Sequence, residues 1–78
     1  MGNREKYDGA FVEGLGVTLD ELPGLSYRAI PAWDSVGHMG LMAMLEEVFE
    51  IALEMDDIMD FSSYEKGKEV LAKYQVTI

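Results

Sequence analysis

The segment Ser35–Phe49 places the strongest constraint on the fold. Leu41, Leu45 and Val48 recur in it at the spacing of an α-helix, and Met42 widens the apolar stripe. A helix with so wide an apolar face must be buried against several neighbours. We therefore expect this segment to be the central helix of an all-α domain.

The N-terminal part of the chain predicts one further helix and a long loop. Apolar residues recur at helical spacing between Glu5 and Leu15, and Gly16 follows as a natural C-terminal stop. Residues 17–33 contain both prolines of the chain, a glycine and scattered apolar residues without a sustained period. This pattern predicts an ordered loop. Loops of this length are uncommon in compact domains and are often functional.

The C-terminal part predicts one short helix and one longer helix. The segment Asp56–Asp60 fits a single helical turn, and Ser62 with Glu65 matches a capping box for a last helix. No segment alternates apolar and polar residues for long enough to form a sheet. The prediction is a single domain, residues 1–78, folded as a small four-helix bundle with three main helices and one short one, and with a long loop between helices one and two.

Composition excludes several classes of protein. The chain has no cysteine, so it forms neither a disulfide nor a thiolate zinc site, and packing of a methionine-rich core must stabilise it. Fifteen acidic against six basic residues give a formal charge of -9, which repels nucleic-acid phosphates and anionic lipid headgroups. No apolar run approaches the roughly 20 residues that span a bilayer, and the N-terminus lacks a signal-peptide pattern. We expect a soluble, cytoplasmic monomer that binds neither nucleic acid nor a membrane.

Seven acidic residues lie between residues 46 and 60 with no basic residue among them. Each one is explained by a solvated helix face, but together they can attract a basic partner. A calcium-binding loop that starts at Asp56 would need an acid at its third position and a glutamate at its twelfth. Ile58 and Gly67 occupy those positions. The sequence therefore predicts no metal site.

Ser35 has three interpretations. Either Ser35 or Asp34 can cap the helix by binding its free amides. A hydrolase nucleophile is excluded, because Trp33 replaces the first glycine of the G-x-S-x-G elbow and no strand precedes the serine; the only histidine, His38, is then not catalytic. In the third interpretation the hydroxyl is exposed at the first helical turn, where the amides and the positive dipole end favour an attached phosphodiester. Ser35 would then be the attachment point of a phosphate-linked arm.

The chain resembles the acyl carrier proteins. The stretch Asp34-Ser35-Val36 is similar to their D-S-L motif, and LGV at 15–17 is similar to the end of their first helix. The following residues are similar to their second helix: Leu41, Leu45, Glu46, Glu47 and Phe49. The likeness covers nearly the whole chain.

The resemblance implies a cofactor and a function. Ser35 is expected to carry 4'-phosphopantetheine, transferred from coenzyme A by a holo-synthase (a phosphopantetheinyl transferase) that recognises Asp34. The thiol of this arm then holds acyl or aminoacyl intermediates as thioesters in fatty-acid, polyketide or related biosynthesis. Catalytic groups belong to the partner enzymes, so the chain is expected to have no enzymatic activity of its own.

The resemblance also implies a docking surface. The partners would be the holo-synthase, an acyl-loading ligase or acyltransferase, and a ketosynthase or another acyl-transferring enzyme, all meeting the exposed side of helix two. By position, this side consists of Val36, Met39, Gly40, Ala43, Glu46 and Glu47.

Two features separate this chain from typical fatty-acid carriers. Gly37 and Gly40 stand where those carriers have acids. Trp33 and His38 around the motif are similar to the W-D-S-x-x-H pattern of specialised stand-alone carriers in secondary-metabolite or surface-polysaccharide pathways. The competing class is an acidic helical interaction module without a prosthetic group, in which Ser35 is only a helix N-cap and is never modified.

Overall fold

The computed structural model describes residues 2–78, which form four α-helices joined by loops. The helices are α1 (Asn3–Leu15), α2 (Ser35–Phe49), α3 (Met55–Asp60) and α4 (Tyr64–Ala72). One 3-10 turn, Leu19–Glu21, lies in the long loop between α1 and α2. No β-strand occurs within residues 2–78, apart from one isolated bridge. The predicted all-α bundle of three main helices and one short one is confirmed.

The predicted helix ends are confirmed closely for the first three helices. α1 ends at Leu15, and Gly16 adopts the left-handed conformation (φ 68°) with its amide bonded to the carbonyl of Val12 at 3.0 Å. This is the geometry for which glycine is preferred after a helix. α1 starts two residues before the predicted Glu5, and α3 starts one residue before the predicted Asp56.

The predicted cap of α4 is wrong by one residue. Ser63, not Ser62, is the N-cap, and its Oγ accepts a hydrogen bond from the amide of Lys66 at 2.9 Å. The reason lies in the long loop, which pairs with this segment as an isolated antiparallel bridge. The carbonyl of Ser62 accepts from the amide of Tyr27, and the amide of Tyr64 donates to the carbonyl of Leu25, both at 2.9 Å. This pairing holds Ser63 in extended backbone (φ -159°, ψ 165°), so the helix begins after Ser63.

The core lies where α1, α2 and α4 meet beneath the long loop. Its centre is a set of aromatic side chains with 0 to 1% exposure: Tyr7, Phe11, Trp33, Phe61 and Tyr64. Phe11 lies at the centre of this set. Its ring centroid is 5.0 to 5.6 Å from those of Tyr7, Trp33 and Tyr64. Such edge-on arrangements are favoured between aromatic rings. α2 contributes three buried apolar side chains: Leu41, Met42 and Leu45. Val48, also part of the predicted stripe, is only half-buried.

α3 differs from the other helices because none of its residues is buried. Polar contacts attach it to the bundle. The carboxylate of Asp57 accepts from the Tyr74 hydroxyl at 2.5 Å and from the Lys73 ammonium at 3.0 Å. These two donors lower the pKa of Asp57 below its ordinary value. No helix among residues 2–78 is long and apolar enough to cross a membrane.

Candidate functional site

Ser35 is the first residue of α2, and its side chain is exposed. Asp34 provides the N-cap. Its backbone is extended, its Oδ1 accepts from the amide of Gly37 at 2.8 Å, and its carbonyl accepts from the amide of His38 at 2.7 Å. Of the two cap candidates that the sequence leaves open, the structure selects Asp34. The capping function therefore does not account for the serine.

The first turn of α2 suits an attached phosphate. The first amides of an α-helix have no partner within the helix. Asp34 binds those of Gly37 and His38, which leaves the amides of Ser35 and Val36 at the positive end of the helix dipole. The first turn of α2 contains no acidic residue. A phosphodiester on the Ser35 hydroxyl therefore meets two backbone donors beside the carboxylate of Asp34, and the residues present fit such a group.

Gly37 and Gly40 differ in whether the fold requires a glycine at that position. A Cβ atom at Gly37 would overlap the carbonyl oxygen of Ala32, so only glycine lets the loop cross the first turn of α2 so closely. A Cβ atom at Gly40 would meet nothing within 4 Å. Gly37 is thus required by the fold that presents Ser35, whereas Gly40 only leaves an open surface.

A half-open cleft of about 320 Å³ begins at Ser35 and lies between α2 and α3. Met39 from α2 and Met55 and Met59 from α3 form its outer part, and His38 and Phe61 are among the residues of its inner part. The lining is almost entirely apolar. The sequence does not show that α3 forms one side of this cleft, because a six-residue helix is too short to show an amphipathic pattern.

His38 joins the loop, α2 and α3 behind this cleft. Trp33 Nε1 donates to His38 Nδ1 at 2.9 Å, and His38 Nε2 lies 2.7 Å from the carbonyl oxygen of Ile58. An indole N–H only donates and a carbonyl only accepts. Both contacts are satisfied by the tautomer in which Nδ1 accepts and Nε2 donates. The Trp33 ring is fully buried and lies edge to edge with the imidazole, with centroids 6.2 Å apart and an interplanar angle of 20°.

α3, which forms the outer wall of the cleft, is thus held from two sides. His38 binds the carbonyl of Ile58 on one side. Asp57 binds Tyr74 and Lys73 on the other. No side chain of α3 is fully buried, but Ile58 is half-buried and packs against the core. These polar contacts and this apolar contact together determine the position of α3.

Most of the residues expected on the docking side of α2 are exposed. Val36 is 80% and Met39 51% exposed. Gly40, Ala43 and Glu47 are also exposed.

Glu46 differs from the other five residues of the expected docking side. It is half-buried, and its Oε2 accepts from the amide of Leu53 at 2.7 Å. This bond fixes the segment that leads into α3. Part of the Glu46 carboxylate is therefore used within the fold, so Glu47 offers the more available charge.

No protein-family model matches the chain, and no curated protein and no solved structure matches it. The functional interpretation therefore depends on the geometry around Ser35 and on the resemblance of its sequence motif.

Proposed function

We propose that the protein is an acyl carrier protein whose Ser35 bears a 4'-phosphopantetheine arm. One observation carries this proposal: Ser35 is exposed at the first position of α2, is not needed as the cap because Asp34 supplies it, and opens onto an apolar cleft. The D-S-V motif supports the same interpretation.

The residues of this chain have separate tasks in that function. Ser35 Oγ forms the phosphodiester, loses its proton, and the nucleotide of coenzyme A leaves. Asp34 holds the first turn of α2 in place, and the amides of Ser35 and Val36 face the new anion. When attached, the arm supplies a thiol that holds acyl or aminoacyl cargo as a thioester. The chain presents this cargo and performs no catalysis itself.

The partner enzymes would meet a surface that changes character along α2. Near Ser35 the exposed side chains are apolar, with Val36 and Met39 foremost. Glu47 and Glu50 follow further along and are exposed. Such a surface, on a monomer with a charge of -9, suits partners that carry apolar residues beside a basic patch. A holo-synthase, a loading ligase or acyltransferase and a ketosynthase are the proposed partners, and charge would speed their encounter with the carrier.

The absence of acids from the first turns of α2 favours a specialised carrier over a primary fatty-acid carrier. Gly37 cannot be replaced by an acid without displacing the carbonyl of Ala32. The fold around Trp33 and His38 is therefore incompatible with the charge pattern typical of fatty-acid carriers at that position. Secondary-metabolite or surface-polysaccharide biosynthesis is the proposed setting.

The test is the intact mass of the purified protein before and after incubation with coenzyme A, Mg²⁺ and a broad-specificity phosphopantetheinyl transferase. We expect a gain of one phosphopantetheine unit. Ser35→Ala should show no gain. Ser62→Ala is the matched control, because Ser62 is also exposed and borders the same cleft; it should gain the full unit. No gain with several transferases, in a protein not already modified, would sink the carrier proposal and favour the interaction module.

A further inference from the structure

Arg28 lies in the loop that leads to Ser35. We propose that its guanidinium binds the phosphodiester formed on Ser35 and so fixes the direction in which the arm leaves the protein. This inference rests on the proposed attachment of 4'-phosphopantetheine at Ser35. It adds a positioning residue that lies outside the D-S-V motif, since Arg28 precedes Ser35 by seven residues.

Basic side chains are scarce in the part of the chain around Ser35. The chain has six basic residues, and Arg28 is the only one between Lys6 and Lys66. Three of the other five have an ion-pair partner: Arg4, Lys68 and Lys73. Arg28 is exposed, and within residues 2–78 it forms no ion pair. Its guanidinium is therefore free to bind an anion.

The backbone of the loop brings Arg28 to the start of α2. The amide of Arg28 donates to the carbonyl of Trp33 at 2.9 Å. Ser35 follows Trp33 by only two residues, and each step along the chain moves the Cα atom by about 3.8 Å. The long side chain of Arg28 therefore starts close to the residue that carries the phosphodiester.

Two observations locate the guanidinium itself. Its Cζ atom lies 5.4 Å from the centroid of the Tyr27 ring, and Tyr27 borders the same cleft as Ser35. Contact with Tyr27 raises the pKa of Arg28 above its ordinary value, and the negative charge of Asp34 raises it further to a smaller extent. The guanidinium is therefore within electrostatic range of the residue that immediately precedes Ser35.

A cation at this place offsets an unfavourable feature of the attachment. The phosphodiester adds a second negative charge next to the carboxylate of Asp34, and like charges that share a site destabilise each other. The amides of Ser35 and Val36 offer dipoles but no full positive charge. A guanidinium offers both a charge and a planar pair of donors that matches two phosphate oxygens. Arg28 can thus neutralise the repulsion and orient the phosphate at the same time.

The first experiment compares the only two arginines of the chain. Arginine Nε–H resonances of the isotope-labelled protein are recorded by NMR before and after attachment of phosphopantetheine to Ser35. We expect the Arg28 resonance to shift on attachment. Arg4 is the internal control, because it pairs with Asp8 within α1; its resonance should not move. Raising the salt from 0.1 M to 1 M shortens the screening length from about 10 Å to about 3 Å, so the shift of Arg28 should become smaller.

The second experiment follows the phosphorus resonance of the loaded protein in three variants. Arg28→Asn removes the charge but suits the backbone, because Arg28 has a positive φ of 68° and asparagine tolerates that conformation. It should shift the phosphorus resonance relative to the wild type. Arg28→Lys keeps the charge without the planar pair of donors and should give a smaller shift. Arg4→Asn is the matched control, because it removes the same charge from another exposed arginine; it should leave the resonance unchanged.

The outcomes distinguish this inference from the proposed function. Attachment at Ser35 that leaves the Arg28 resonance in place, or a phosphorus resonance that is the same in the wild type and Arg28→Asn, overturns the role of Arg28 and leaves the carrier function standing. Equal phosphorus shifts in Arg28→Asn and Arg4→Asn also overturn it, because they reflect only the change in net charge. Failure to attach phosphopantetheine at Ser35 overturns both.

Discussion

Gly37 and Gly40 lie one turn apart on α2 but should respond in opposite ways to replacement by alanine. Neither has a positive φ, so alanine suits the backbone at both positions and gains about 1 kcal/mol of helix propensity. At Gly40 this gain is unopposed, because a Cβ atom meets nothing within 4 Å. At Gly37 the Cβ overlaps the carbonyl oxygen of Ala32. Overpacking against a backbone atom costs about 1 to 3 kcal/mol, and loosening of the Asp34 cap adds about 1 kcal/mol.

The net expectation is that Gly40→Ala stabilises the protein by about 1 kcal/mol and Gly37→Ala destabilises it by about 1 to 3 kcal/mol. Urea unfolding followed by far-ultraviolet circular dichroism measures both variants against the wild type. In thermal unfolding, a domain of this size should show Tm shifts of about 4 to 8 °C for each kcal/mol. Equal stabilisation by the two variants would refute the reasoning, since it would mean that the loop does not cross the first turn of α2 at Ala32.

Three further predictions concern contacts within the fold. Asp34→Ala should lower the free energy of unfolding by about 1 kcal/mol through loss of the α2 cap, and Asp34→Asn, which keeps an acceptor, should lose much less in the same urea titration. Tyr7→Phe removes the buried 2.6 Å hydrogen bond to the carbonyl of Tyr64 at the start of α4, and should cost about 1 kcal/mol in the same urea titration, the usual net contribution of one hydrogen bond. Hydrogen bonds from Tyr74 and then Lys73 lower the pKa of Asp57. The stability that this provides is present above the ordinary carboxyl pKa and is lost as the pH falls through the lowered pKa of Asp57. Asp57→Asn should therefore be less stable than the wild type at pH 7 and should lose less stability on acidification, as thermal unfolding across pH would show.

The helices with sustained apolar periodicity were predictable from the sequence because their signals are local. The stripe of α2 predicts a buried face, and Leu41 and Leu45 are fully buried. Gly16 ends α1 in the left-handed conformation, which glycine adopts easily because it has no side chain. The start of α4 was not predictable in the same way. It depends on pairing with residues 25–27, nearly 40 residues earlier in the chain, which no local motif reports.

Ser35 and the aromatic core behind it also differ in how predictable they are. Ser35 is indicated by the residues next to it, since a motif is a local pattern. The position of His38 depends on its side-chain hydrogen bond with Trp33 and on its contact with the carbonyl of Ile58, twenty residues further along the chain. The sequence shows a tryptophan and a histidine flanking the motif but not that they bind each other. Only the tertiary structure shows that the two residues form a hydrogen-bonded pair.

The stretch from Trp33 to His38 therefore acts as one unit. Trp33 must be buried to anchor the loop, and His38 must lie on the inner side of α2 to receive its indole hydrogen bond. This places Asp34 at the cap and turns Ser35 outward, while Gly37 leaves room for the loop that brings Trp33 into the core. The residues that place Ser35 at the surface are thus the same residues that pack into the core behind it.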